Sequence, residues 1–381
     1  MTSRPLAGPA TAKDAEQMRA LFEQRIRSHS GPSFDVLGCT VGAVREQQGR
    51  SWFQYTLRLR DAGSGRERDL RLNGLVGASD QSRQAAQNPS LGQPGPAPGD
   101  EPLPLPAFSY LSELDMVVQV FPHDLRLPAL APLLKGAFPD VEPFLLARFG
   151  PGDWTVDEWR GELVQYRIEM QATVRLTLRV SDAATDRTAE RRFYAKVYHW
   201  RRHAKQQALL LQELAKRTGG AFAIGRPIGF SGRAGMQIQE EVAGTSLLDL
   251  LRSDGDATGA LRRVARAVAA LHRLDLKPLG QQWRRDRIAG LETVQESMRA
   301  RRPDLAAEID ETARAVVDGL ADGVSAPVHG DLKPEHILLD GDHVGFIDWD
   351  LCALADPLSD AANLLFKLRR EGGRLAGRPD R

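Results

Sequence analysis

The stretch VHGDLKPEHILLD, residues 328–340, sets His329 two positions before an acid, Asp331, and adds a second histidine at His336. Another acid, Asp348, closes the apolar run VGFID and is followed by Asp350. Moving a phosphoryl group onto an alcohol requires a carboxylate that positions the hydroxyl and accepts its proton, and a divalent ion held between the β and γ phosphates. Asp331 suits the first task, and Asp348 offers an oxygen ligand for the second. The two acids are 17 positions apart, room for a strand, a turn and a returning strand. ILLD, GDH and VGFI fit that hairpin, with Gly341 and Asp342 in the turn, and would bring the carboxylates side by side. The plainer reading of the same acids is a pair of turn caps.

The chain also offers a cation upstream. Lys196 lies in FYAKVY between apolar neighbours, where an unpaired ammonium is costly. Its anion is either a nucleotide phosphate or Glu213, on a helix 17 residues later; the alternatives are an edge-strand lysine in solvent and an ordinary surface glutamate. MQIQEEVAG reads as a strand running into Gly244, so that backbone groups from Glu240 to Val242 could read an adenine edge.

HGDLKPEHILL, FIDWD and ADPLSDAANLL together resemble the aminoglycoside phosphotransferase and choline kinase superfamily, over roughly residues 155–365. The resemblance implies a protein-kinase-like fold, ATP and Mg²⁺ as cofactors, and a small-molecule hydroxyl as acceptor. It makes Asp331 the catalytic base, Asp348 a metal ligand, and Lys196 with Glu213 the pair that positions phosphate. His329 would support the loop, and Asp356 and Asp360 would brace it. HGD and DWD, in place of HRD and DFG, point to the small-molecule branch, although DLKPE echoes the protein kinases. Three features depart from the pattern. Position 336 is His where the family has Asn, and imidazole suits Mn²⁺ or Zn²⁺ better than Mg²⁺. The first turn of the kinase-like sheet, YRIEMQAT, has no glycine to cradle phosphates. Only 31 residues follow Asp350, little chain for walling an acceptor site. These departures motivate a second reading, a pseudokinase that binds nucleotide or acts as a scaffold. A protein kinase is disfavoured, because no activation segment fits between Asp350 and Asp356.

These residues need elements to hold them. Residues 12–28 carry Met18, Leu21, Phe22 and Ile26 at helical spacing. Strand-like runs follow at 34–44, 52–60 and 68–76, so that 1–76 reads as an α+β cap, similar to the cap of maltokinase-type relatives; strand 116–122 is a candidate to join it. Residues 77–106, rich in Gln, Ser, Gly and Pro, read as a disordered linker or loop, and 107–154 as a connecting segment. Residues 155–243 alternate as an antiparallel lobe with one helix over 202–217, and 244–381 turn helical, with Leu261, Val264, Val268 and Leu271 on one face. The expected class is α+β, a kinase-like bilobal fold behind a cap. His272 reads as packing, and Arg262, Arg263 and Arg266 as a solvated helix face.

Bulk properties bound the rest. With 51 basic against 50 acidic residues the formal charge is +1, so no global field recruits nucleic acid or an anionic membrane. Cys39 and Cys352 form no metal or redox spacing, and no apolar run has signal or membrane-spanning length, which points to the cytoplasm. The sequence names neither the acceptor nor the oligomeric state.

Overall fold

The computed structural model describes residues 8–47, 49–88, 103–136, 140–253, 256–276, 283–319 and 325–375. It divides into two compact units, Met1–Lys205 with Phe230–Gln237, and Gln206–Gly229 with Ile238–Arg381. No described helix is long and apolar enough to cross a membrane.

In the first unit, α1 (Ala15–Ser30) starts where the Asp14 side chain accepts from the Glu16 and Gln17 amides, and it buries Met18, Phe22 and Ile26. That stripe packs on a sheet of β1 (Phe34–Gln47), β2 (Arg50–Asp61), β3 (Glu67–Val76), β4 (Phe108–Leu111) and β5 (Met116–Val120), in the order β1-β2-β3-β5-β4. Alternation along β2 sends Phe53, Tyr55, Leu57 and Leu59 into this core. β5 pairs antiparallel with β3, Val76 opposite Met116, although a long stretch of chain separates them. Part of that stretch corrects the linker expectation. Asp80–Gln87 forms α2, capped by the Ser79 side chain and burying Ser82 and Ala86, so a polar composition here conceals an amphipathic turn. The proline-bearing residues 89–102 lie outside the described residues.

A second sheet begins with β6 (Trp154–Arg167), β7 (Gln171–Asp182) and β8 (Arg187–Tyr198), paired antiparallel in sequence order. After α3 (Arg201–Arg217) the chain forms β9 (Ala223–Ile224), and then β10 (Pro227–Ser231) and β11 (Met236–Glu240) complete the order β10-β11-β8-β7-β6.

The β6–β7 turn is tied to the cap by a buried polar network. Glu169 takes a left-handed backbone, φ 57°, yet is only 6 % exposed. Its amide donates to Asp124 Oδ2 at 2.9 Å, and Gln119 Nε2 of β5 donates to its Oε1 at 3.0 Å. Asp124, 2 % exposed, also accepts from the Tyr166 hydroxyl and from the Arg126 and Leu127 amides. The Tyr166 hydroxyl in turn accepts from Asn73 Nδ2 of β3. Burial pushes both carboxyls above their ordinary values. Four donors offset part of that rise at Asp124, whereas at Glu169 the neighbouring Asp124 charge adds to it, against Gln119 and the Arg126 guanidinium at 3.9 Å.

The second unit is helical around a small sheet. α4 (Ala257–Leu271) buries Ala260, Val264, Ala267 and Leu271 against Leu211, Leu214, Ile337, Phe346 and Trp349. α5 (Trp283–Arg301) and α6 (Ala306–Gly319) follow. The sheet runs β12 (Thr245–Ser246), β14 (Ile337–Asp340), β15 (His343–Phe346), β9, and β13 (Ala326–Val328) pairs separately with β16 (Ala353–Ala355) ahead of α7 (Leu358–Leu375). The α+β, antiparallel-then-helical order is the one expected.

Candidate active site

β13 delivers the chain to His329, which is fully buried. Its amide donates to Asp360 Oδ2 at 2.8 Å, and the Gly330 amide donates to Oδ1 of the same carboxylate at 2.9 Å. His272, at the end of α4, approaches Oδ2 through Nε2 at 3.1 Å. Burial works to raise the Asp360 carboxyl, but these donors outweigh it and hold the group below its ordinary value. The result is a charged clamp on the backbone ahead of Asp331. Gly330 has no substitute there: its φ is 80°, and a Cβ would lie 2.0 Å from the Leu351 carbonyl oxygen. His329 Nε2 donates to the Ile347 carbonyl at 2.9 Å, and burial lowers its imidazole to about 4, so the ring is a neutral tie between the loop and the strand that carries Asp348.

β14 and β15 pair from Ile337↔Phe346 to Asp340↔His343, with Gly341 left-handed in the turn. This hairpin brings Asp331, His336 and Asp348 together, with ligand atoms all within 4.8 Å of one another. His336 Nδ1 lies 3.0 Å from the Asp331 carbonyl, which can only accept, so Nδ1 carries the hydrogen. Its Nε2 lone pair then faces Asp348 Oδ2 at 3.3 Å. Burial lowers the His336 imidazole despite the pull of Asp348, keeping that lone pair available. Two electron-rich atoms so close, with no hydrogen between them, fit a divalent cation. Asp348 sits at φ 67°, a costly conformation for a non-glycine residue, and that backbone aims its carboxylate at the cluster. Lys333 places its ammonium 3.3 Å from Asp331 Oδ2. Its presence here is a consequence of the loop and had no separate signal in the sequence.

The other expected site residues separate into two groups. In the second unit the Glu240 amide donates to the Arg226 carbonyl at 2.9 Å, so it is not free to read an adenine edge, while Val242 packs its side chain over Gly345. In the first unit Lys196 is half-buried on β8 between Ala195 and Val197, opposite Thr173. Within the second unit Glu213, on α3, is held by its own helix: Oε1 accepts from Lys216 at 2.9 Å, and Oε2 pairs with Arg217. The spacing explains this placement. α3 buries Ala204, Gln207, Ala208, Leu211 and Leu214, and Glu213 falls off that face beside cations three and four residues on. The polar side chain the helix does bury is Gln207, 7 % exposed, whose Nε2 reaches the Asp350 carbonyl at 3.4 Å. His272 is likewise more than packing, since it completes the Asp360 clamp; neither contact has a local sequence signature.

A sequence model described as the phosphotransferase enzyme family (APH) matches residues 165–378. No curated protein matches the chain. Among solved structures, a thermostable mutant of aminoglycoside phosphotransferase APH(4)-Ia is similar at 20% identity and a TM-score of 0.42, covering 63% of this chain and 85% of that one. A choline/ethanolamine kinase family protein from Mesorhizobium loti is similar at 17% identity and a TM-score of 0.40, covering 63% and 70%. Amicoumacin kinase, in complex with AMP-PNP and Ca²⁺, is similar at 14% identity and a TM-score of 0.36, covering 60% and 69%.

Proposed function

Since the chain belongs to the phosphotransferase enzyme family, we propose that it transfers the γ-phosphoryl group of ATP to a hydroxyl of a small molecule such as a sugar, an amino sugar or an aminoglycoside. The observation that carries this reading is the convergence of Asp331, His336 and Asp348, with a lone pair and a carboxylate facing each other at 3.3 Å. His336 and Asp348 would hold a divalent ion, which when bound neutralises charge between the β and γ phosphates. Asp331 orients the acceptor hydroxyl and takes its proton. Lys333, beside Asp331, places a positive charge at the transferring group. The Asp360 clamp keeps the loop backbone fixed while this happens. Lys196 is assigned to the nucleotide phosphates and the backbone near Val242 to the adenine. Glu213 is left out of this assignment because Lys216 and Arg217 occupy it.

The test is ATP turnover by the purified chain with Mg²⁺ and then Mn²⁺, alone and with a panel of sugars and aminoglycosides. Asp331→Asn is expected to lower metal-dependent turnover by about 10²–10⁴-fold, the span of a lost general base, without moving the melting temperature. His336→Asn is expected to shift the preference from Mn²⁺ toward Mg²⁺. The histidine at position 336 also favours one competing reading, a nucleotide-binding pseudokinase. Metal-dependent ATP binding with no turnover on any acceptor, in the wild type and in His336→Asn alike, would select it.

A further inference from the structure

The second unit carries a cavity of about 1040 Å³ that shares no residue with the candidate active site. Its walls are the end of α3 and the turn after it, β9, one face of α4, and the β14–β15 turn. Arg263 and Arg266 project from α4 three residues apart, Arg273 follows in the turn after it, and Arg226, Lys216 and His343 join them from the other walls. Among the described residues the lining holds a single acid, Asp342.

The charges are poorly matched from within the protein. Asp342 lies 3.8 Å from Arg263, longer than a hydrogen bond, and its side chain is 97% exposed. Lys216 is held by Glu213, whereas Arg226, Arg266 and Arg273 form no ion pair among the described residues. Arg263 Nε is buried with no hydrogen-bond acceptor, and a buried N–H left in that state costs about 1–3 kcal/mol. The C-terminus of α3 contributes about half a negative charge, small against four guanidinium groups. The lining also includes the apolar side chains Phe222, Ile224 and Val344, and Gly219 and Gly220, where an added side chain would meet nothing within 4 Å.

We propose that this cavity is a binding site for a small organic polyphosphate, a ligand with at least two phosphoryl groups on an organic body. Guanidinium forks match phosphate oxygens in pairs. Arg263 and Arg266 grip one phosphoryl group, with the free Nε–H of Arg263 as one donor. Arg226 and Arg273 take the second, and the organic body lies on Phe222 and Val344. Arg263 and Arg266 are therefore more than a solvated helix face.

The experiment is calorimetric titration of the full chain with inorganic tripolyphosphate in EDTA, which removes divalent metal from the catalytic loop. Saturable one-to-one binding is expected in the wild type and equally in Asp348→Asn. The double variant Arg263→Gln with Arg266→Gln is expected to bind at least tenfold more weakly. The exposed single variants Arg226→Gln and Arg273→Gln, which leave the core untouched, are each expected to bind severalfold more weakly. Titrations with ADP and with pyrophosphate, both in EDTA, are expected to show ADP binding more tightly through its organic body, and equal or weaker binding of ADP overturns the organic part of the proposal. No saturable binding, or binding unchanged in all the arginine variants, overturns the proposal. Loss of binding in Asp348→Asn also overturns it, by returning the anion to the catalytic loop.

Discussion

Asp124 with Glu169 in the first unit and Asp331 with Asp348 in the second are both pairs of carboxylates assembled at a hairpin, and each pair includes an acid forced into the left-handed region, Glu169 at φ 57° and Asp348 at φ 67°. They differ in what surrounds them. Asp124 collects one hydroxyl and three amides, and Glu169 collects Gln119 and Arg126, so nearly every lone pair meets a donor. Asp331 meets the Lys333 ammonium, and Asp348 faces the lone pair of His336. A cluster of acids furnished throughout with donors is a structural joint; one that adds an imidazole lone pair is a place for a cation. Asp331, proposed above as the catalytic base, lies in the second kind, and the β6–β7 turn is fastened to the cap by the first.

The sharpest way to break that contrast is Asp124→Ala, which strands four donors in a dry site. It is expected to lower the unfolding free energy by about 3 kcal/mol or more, read as a reduced urea midpoint. An unchanged midpoint would mean that the network is not the joint it looks like. Asp348→Asn should do the opposite. Metal binding, followed by Mn²⁺ titration, should weaken by at least the 10–100-fold that even an outer partner of a metal site is worth, while the urea midpoint holds or rises because a carboxylate no longer faces a lone pair. A fall in stability would place Asp348 with the structural acids.

The smallest expected effect is that of Glu169→Gln, within about 1 kcal/mol at neutral pH, and its interest is in pH. Glu169 has a folded value raised by burial above the ordinary glutamate value near 4.3. The folded state therefore binds the proton more tightly. Its contribution is complete below about 4.3 and is lost as pH rises through the raised folded value. Wild-type stability should decline across that window, and Glu169→Gln should flatten the decline; parallel curves would assign the proton elsewhere.

Much of the molecule was legible from local pattern. The 17-position spacing of Asp331 and Asp348, with an apolar strand on each side of Gly341, already contained the hairpin, because strand alternation and turn chemistry act over a few residues. The β1–β3 meander and the buried face of α4 were readable for the same reason. Glu213 shows where such reading stops. The face it occupies on α3 is set by which residues the core claims, and Lys216 and Arg217 stand at the spacing that captures it.

The sequence by itself determined the family, the order of strands and helices, and the identity of the acids at the loop. Tertiary structure alone decided that His272 would reach Asp360 across 88 positions, that Gln119 and Asp124 would hold the turn at Glu169, and that five basic side chains and a histidine would share one cavity. The physical reason is common to all three. Periodicity encodes neighbours a few residues apart, whereas hydrogen bonds and charges between distant segments depend on how whole elements pack, and any polar residue on the right face would carry the same local signal.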